Sequence, residues 1–473
     1  MRPTPRNYMI WPSVVPADQA TEMTIAPTER AFFLFEDTEY RISIIPVNSD
    51  ETEYQDSKTR RVVLTAVAHG GVLHFSYTFK GEQEYTLILE QGEKLVQEFA
   101  VYSLYSDLYA LKPLKGDFHS HSYRSDGRQD PAALAGHYRE QGYDFFALTD
   151  HNRYYPGGEI DEAYEGVKTG FTRVFGEEVH TPGSMVHIVH VGGKKSVTEQ
   201  YINDEEGFER CVTEEYEPRV PACVPAHLRR RYAKAMWACD RIHEAGGLAV
   251  FAHPFWRPGG SRIYNVYDEF AFLLLKSGMF DVYELVGGMG QDGVNRSVAM
   301  WADLRVEGLK ISVVGSSDVH GLERSRDFPD HFTICFASEN ENDAIINAVR
   351  AGNSVAVEGE GYEYDRKYRC YGSMRLVGYS QFLLRYFFPQ MQRIMEGEGV
   401  TMRAFCMGDA DAALIEAQAE QAEKFRARFF GAMKPAEPTA SMLAFEEKWR
   451  ARHLEGPETK GSHLHTGVIS RQL

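Results

Sequence analysis

The chain has 473 residues, 43% of them hydrophobic, and its 51 Lys+Arg against 68 Asp+Glu give a net charge of −17. That length exceeds the size at which a single core stops growing, so two domains with a helical appendage are expected. The acidic balance disfavours long nucleic acid and anionic membrane as partners, and leaves open a small phosphorylated ligand in a locally positive pocket.

The six cysteines, Cys211, Cys223, Cys239, Cys335, Cys370 and Cys406, are scattered without a CxxC pair, which reads as free thiols in a reducing compartment. The opening stretch "MRPTPRNYMIWPSVVPADQ" has no continuous apolar run of signal-peptide type, and no apolar run of about 18 residues occurs anywhere. A soluble cytoplasmic protein is the expectation.

Residues 1–113 read as a β-rich, sandwich-like domain. "RAFFLFE", "YRISIIPV", "RRVVLTAVA", "VLHFSYTF" and "YTLILEQ" are short β-branched and aromatic segments separated by charged or Gly-containing turns. From about residue 114 the texture changes to alternating strand and amphipathic helix. Asp130-Pro131 supplies a capping residue and a proline at the first helical position, and Gly142 closes that helix before "DFFALTDH". The unit recurs in "YAKAMWACDRIHEAGG" before "LAVFAHP", "YDEFAFLLLKSG" before "MFDVYELVGG", and "VNRSVAMWADLRVEG" before "LKISVVGSSDVH". With "GDFHSH", "RVFGEEVH" and "MVHIVHVGG" this makes seven apolar strands between 116 and 318. They predict an α/β domain over 114–360 with a parallel sheet, closed into a TIM-like barrel. "HFTICFAS", "ENDAIINAVRAG" and "SVAVEG" complete it. Residues 361–473 read as a mainly helical C-terminal extension with a frayed tail.

In a barrel the chemistry collects at the C-terminal ends of the strands. His119, His121, Asp150, His151, Glu177, Glu178, His187, His253, Glu284, Asp318 and His320 all fall at such ends. Residues i and i+2 of a strand point the same way, so His119 with His121, and Asp318 with His320, address one centre. Imidazole and carboxylate without cysteine suit Zn, Mn or Fe and disfavour a structural zinc knot. So many donors exceed what one ion needs, which points to two or three divalent metals. Such a site makes a nucleophile from metal-bound water and neutralises phosphate oxygens, so phosphoester hydrolysis needs no protein nucleophile. The chain has no G-x-S-x-G elbow and no Walker A loop.

The ordered series "DFHSHSYRSDG", "ALTDHN", "GEEVH", "HIVHVGG", "FAHP" and "VVGSSDVH" resembles the PHP (polymerase and histidinol phosphatase) superfamily over residues of about 115 to 358. The resemblance implies a distorted seven-stranded barrel with a trinuclear metal centre that hydrolyses phosphoesters. Its ligands would be His119, His121, Asp126, His151, Glu178, His187, His253, Asp318 and His320, with Glu178 bridging two metals. Glu177 is an alternative to Glu178, and His190 competes with His187. Asp150, Glu177 and Glu284 are candidates to orient a ligand or a metal-bound water.

Arg257 in "FAHPFWRPGG" is placed to reach a substrate phosphate, with Arg124 and Arg153 as weaker alternatives. "HLRRRYAK" reads as a solvated helix face, and the long polar segment of about 194–231 as a substrate lid. His137, His180, His227, His243 and His331 have no motif around them and read as ordinary core or surface histidines. A second HxH, His463 and His465, stands in the polar tail without ordered partners.

The expected activity is hydrolysis of a small phosphorylated metabolite or nucleotide. The alternatives are an amidohydrolase-type metal-dependent hydrolase, against which stands the missing carbamylated-lysine motif, and a metal-holding regulatory module without catalysis.

Overall fold

A computed structural model describes residues 7–29, 32, 34–48, 61–323, 325, 327–361 and 366–431. Leu111–Ala422 form one compact unit; the other is built from the chain up to Ala110 together with the segment beginning at Glu423. His463 and His465 lie outside the described residues, as does the tail read as frayed.

The N-terminal strands are β1 (Tyr8–Trp11), β2 (Val14–Pro16), β3 (Ala20–Pro27), β4 (Glu39–Pro46), β5 (Val62–Val67), β6 (Leu73–Thr78), β7 (Gln83–Gln91) and β8 (Lys94–Leu104), followed by a single turn, α1 (Ser106–Tyr109). They make two sheets, β1-β3-β6 and β2-β8-β7-β4-β5. Alternating apolar positions drive the packing: Ile42 and Ile44 of β4 and Leu87 and Leu89 of β7 share one core with Tyr8, Ile10, Met23 and Ile25 from the smaller sheet. The described residues of the expected strand "RAFFLFE", 32 and 34–36, lie outside any strand.

The larger unit runs β9 (Lys112–Asp117), α2 (Pro131–Glu140), β10 (Phe145–Ala147), α3 (Pro156–Ala163), β11 (Thr172–Val174), β12 (Gly176–Val179), β13 (Ile188–Val191), α4 (Thr198–Asn203), α5 (Glu205–Cys211) and α6 (Arg229–Glu244). It continues with β14 (Leu248–Phe251), α7 (Asp268–Lys276), β15 (Val282–Val286), α8 (Gly290–Val306), β16 (Ser312–Gly315), β17 (His331–Ala337), α9 (Asn342–Arg350), β18 (Ser354–Glu360), β19 (Lys367–Tyr371), α10 (Met374–Tyr386) and α11 (Phe388–Cys406), and α12 (Ala412–Phe429) begins in this unit and passes its boundary at Ala422. The Asp130 carboxylate accepts hydrogen bonds from the Ala132 and Ala133 amides, at 3.0 and 3.1 Å, and so caps α2. No described helix is long and apolar enough to cross a membrane.

The strands form two mixed sheets, β11-β10-β9-β17-β18-β19 and β12-β13-β14-β15-β16, which share an apolar core that includes Leu114 and Phe145 of the first, Phe118 just after β9, and Val189, Val250, Val282 and Val314 of the second. The parallel sheet expected from strand-helix alternation is interrupted. β13 runs antiparallel to both β12 and β14, because the connection from Val179 to Ile188 contains no crossover helix and the chain must turn straight back.

The segment read as a lid is not an open loop. Val197, Tyr201, Phe208, Val212, Tyr216, Val220, Val224 and Leu228 are all buried in a core shared with α6, α7 and β14. "HLRRRYAK" is likewise not a free solvated face. Arg229 donates to the carbonyls of Glu217, Val220 and Pro221, Arg230 pairs with Glu217 and Glu209, and Lys234 bonds Glu209, so these cations tie the insertion to α6.

Candidate metal centre

Beyond their regular ends, the strands continue as irregular extensions pinned to one another. Thr149 N donates to Ser120 O at 2.9 Å, His121 N to Val319 O at 3.0 Å, and Asp318 N to His119 O at 3.0 Å. Isolated parallel bridges join Ser120 to Val319 and His151 to Glu178. The extensions thereby bring the HxH, TDH, GEE and SSDVH segments to one place. His253 (φ 24°) and Asp318 (φ 51°) both sit in the left-handed region, a strained conformation that persists only where the surroundings enforce it.

Glu178 is the centre of the arrangement, and its side chain is fully buried. Oε2 lies 3.4 Å from His119 Nε2, 3.5 Å from His121 Nε2 and 2.7 Å from His151 Nδ1. Oε1 lies 2.9 Å from His187 Nδ1, 3.2 Å from His180 Nε2 and 3.3 Å from His253 Nε2. Asp318 Oδ1 approaches His121 Nε2 at 3.0 Å and His119 Nε2 at 3.3 Å. Asp126 Oδ1 approaches His320 Nε2 at 3.3 Å and His151 Nε2 at 3.4 Å. All nine residues named by the resemblance therefore stand in one cluster.

His121 Nε2 and Asp318 Oδ1 are hydrogen-bonded, but several of the other donors converge without a partner. Both Glu178 oxygens, His119 Nε2, His151 Nδ1 and His187 Nδ1 are buried atoms with no hydrogen-bond partner. Unpartnered buried polar atoms are costly, and a cation among them would relieve that cost. The electrostatics couple the same groups to one another. Burial opposes the Glu178 carboxylate, yet His119, His187 and His180 outweigh it and hold the carboxyl well below its ordinary range. Burial likewise disfavours charge on His119 and His151, but neighbouring carboxylates raise both, His151 to about 10. At His121 and His187 burial wins and lowers the imidazoles to about 3 and about 4, leaving the neutral form that ligates metals. Imidazole and carboxylate donors so arranged fit divalent ions of the Zn, Mn or Fe kind.

Strand alternation settles which residues face this cluster. In the β12/β13 register Glu177 stands opposite His190 and Glu178 opposite Val189. Glu177 therefore points away from the cluster. It takes His190 Nδ1 at 3.0 Å and the Val197 amide at 2.6 Å, and its role is to anchor the start of the insertion. His190 follows Glu177, while His187 joins the cluster. Glu284 stands behind His119, its Oε2 2.9 Å from Nδ1. Asp150 is one step further out: it accepts bonds from Ser122 N at 2.8 Å and Ser125 Oγ at 2.6 Å, holding the turn that carries Asp126.

His180, read from sequence as an ordinary histidine, is in the cluster. The signal was available, because His180 follows Glu178 by two positions on a strand end, the same spacing as the HxH. Arg257 is exposed and bonded to the Tyr264 hydroxyl at 3.1 Å, Arg124 pairs with Glu159, and Arg153 bonds Tyr155. A cleft of about 420 Å³ opens beside Asp126, Asp318 and His320, and its cationic wall is Arg128, which pairs with Glu323.

Solved structures similar to this chain include PHP-like metal-dependent phosphoesterases. One is a two-domain protein of Bacteroides vulgatus ATCC 8482 containing a predicted PHP-like metal-dependent phosphoesterase. It is 18% identical with a TM-score of 0.36, over 52% of this chain and 65% of that one, so the match spans under two thirds of that protein's length. A candidate metal-dependent phosphoesterase of Bifidobacterium adolescentis ATCC 15703 is 20% identical with a TM-score of 0.31, over 44% of this chain and 87% of that one. An amidohydrolase from Chromobacterium violaceum is 19% identical with a TM-score of 0.29, over 45% and 92%. No protein-family model and no curated protein matches the chain.

Proposed function

We propose that the protein is a metal-dependent hydrolase of phosphoesters, acting on a small phosphorylated metabolite or nucleotide. The observation that carries this reading is Glu178: a buried carboxylate whose two oxygens each face three imidazole nitrogens and accept no hydrogen bond. That is the environment of a bridging ligand between two cations. Two to three divalent ions would be held by His119, His121 and Asp318, by Asp126, His151 and His320, and by His187 and His253, with Glu178 shared.

Such ions, when bound, supply Lewis acidity toward phosphoryl oxygens and lower the pKa of water enough for it to act as a nucleophile. The chain's own residues supply the rest. Glu284 keeps the proton of His119 on Nδ1, so that Nε2 stays free toward Glu178 and Asp318. Arg128, rather than Arg257, is the guanidinium positioned on the cleft wall to receive a substrate phosphate oxygen bidentately. The cleft volume suits a small organic phosphate. The bridges at Ser120–Val319 and His151–Glu178 support reading β9, β10 and β12 to β16 as one distorted seven-stranded barrel whose mouth is this cluster.

The test is a phosphoester panel, monoesters against diesters, assayed with Mn or Zn after elemental analysis of the purified protein. More than one ion per chain and metal-dependent phosphate release are expected. Activity that survives His119→Ala would place the chemistry elsewhere.

A further inference from the structure

The nine residues of the ordered motifs leave out one imidazole that the fold delivers to the same place. In the antiparallel β12/β13 pair, Val179 stands opposite Ile188. One more step in that register sets His180 opposite His187, and their rings lie 3.8 Å apart. Alternation puts His180 on the side of Glu178, and its Nε2 lies 3.2 Å from Glu178 Oε1. That nitrogen is buried and has no hydrogen-bond partner.

We propose that His180 is an additional metal ligand, sharing an ion with Glu178 and His151. The assignment rests on the metal-centre reading above. His151, Glu178 and His180 offer ligand atoms that all lie within 4.8 Å of one another, close enough for one ion to draw them together.

The backbone of His180 is clamped, as expected of a ligand and not of an incidental surface histidine. Its amide donates to Asn152 Oδ1 at 3.1 Å, and its carbonyl accepts from the Tyr201 hydroxyl at 3.1 Å. Asn152 itself is held at φ 52° with its amide on the Glu178 carbonyl, 2.9 Å away. Tyr201 belongs to α4, so the packed insertion acquires a role: it positions His180 from behind.

The experiment compares wild type, His180→Ala, His180→Gln and Tyr201→Phe after chelator stripping and reloading with Co²⁺. Bound cobalt is counted by elemental analysis, its visible absorption recorded, and the stripped proteins compared by circular dichroism. Both His180 variants are expected to fold as wild type, to retain one ion fewer per chain, and to lose the corresponding part of the visible band. Tyr201→Phe is expected to fill the same number of sites with about tenfold weaker affinity at one of them. Wild-type stoichiometry and an unchanged spectrum in a folded His180 variant would overturn the assignment while leaving the metal centre intact. A wild-type chain that takes up no cobalt, zinc or manganese would overturn both.

Discussion

Glu284 Oε2 lies 2.9 Å from His119 Nδ1, and both side chains are buried. The carboxylate fixes the imidazole tautomer and also accepts from the His253 amide at 3.3 Å, so one residue braces two candidate ligands. Replacing such a partner typically costs 10- to 100-fold in metal affinity. Glu284→Ala is expected to weaken metal binding by that range, and Glu284→Gln by less because it can still accept from His119. Competition titration against a chelator measures both; equal affinity in Glu284→Ala and wild type would remove Glu284 from the site's support.

Gly288 has φ +61°, and a Cβ added there would stand 2.7 Å from Asp318 Oδ2 and 3.2 Å from His253 Cδ2. Gly278, at φ +76°, would meet nothing within 4 Å. Alanine at either position carries the left-handed penalty of about 1–2 kcal/mol. Only Gly288→Ala also pushes into candidate ligands. Both variants should therefore lose similar stability in urea unfolding, while Gly288→Ala alone loses bound metal and hydrolysis. A Gly288→Ala protein with full metal content contradicts the close approach.

Much of the site was legible because one rule, same-face spacing of i and i+2, applies wherever a strand ends in donors. It put His119 with His121 and Asp318 with His320, and the same rule reaches Glu178 and His180, where no recognised motif drew attention to it. What was not legible depended on pairing partners far apart in the chain. The resemblance favoured Glu178 over Glu177, but the physical reason, that Glu177 turns to His190, needed the β12/β13 register. Glu284 lies 165 positions from His119, and its role as His119's partner comes from the order of strands, not from local sequence. The insertion read as a polar loop because its charges are conspicuous in sequence, whereas Tyr201, Phe208 and Tyr216 are spaced irregularly across short helical turns and gave no periodic signal.

Arg139 of α2 and Glu398 of α11 form a buried ion pair at 2.7 Å, and Glu398 Oε1 also accepts the Gly170 amide at 2.7 Å. The helices approach closely because Gly136 faces Gly399. Removing one member of a buried pair costs about 3–5 kcal/mol, and here it would leave Arg139 only the more distant Asp144 carboxylate, 3.6 Å away, as its counter-charge. Glu398→Ala is expected to destabilise the chain by that amount in denaturant unfolding. A change below about 1 kcal/mol would mean that water reaches Arg139 once the carboxylate is gone.

Lys115 extends from β9 into the interior, its Nζ 3.0 Å from the Gln141 carbonyl and 4.0 Å above the Tyr143 ring. Burial, reinforced by Arg366, lowers its pKa from 10.5 to about 7. The sign follows from proton uptake. Between about pH 7 and 10.5 the unfolded chain keeps a proton on this lysine that the folded chain has released, so stability rises with pH across that window, by at most about 1.4 kcal/mol per unit. Below about pH 7 both states are protonated and the contribution is absent. Lys115→Met keeps the apolar stem between the Tyr143 and Phe332 rings and removes the titration. The stability of wild type relative to Lys115→Met should therefore climb from pH 7 to pH 9.5 in urea unfolding, because every other titrating group is common to both proteins. A difference that stays flat over that range would show that the folded protein keeps Lys115 charged.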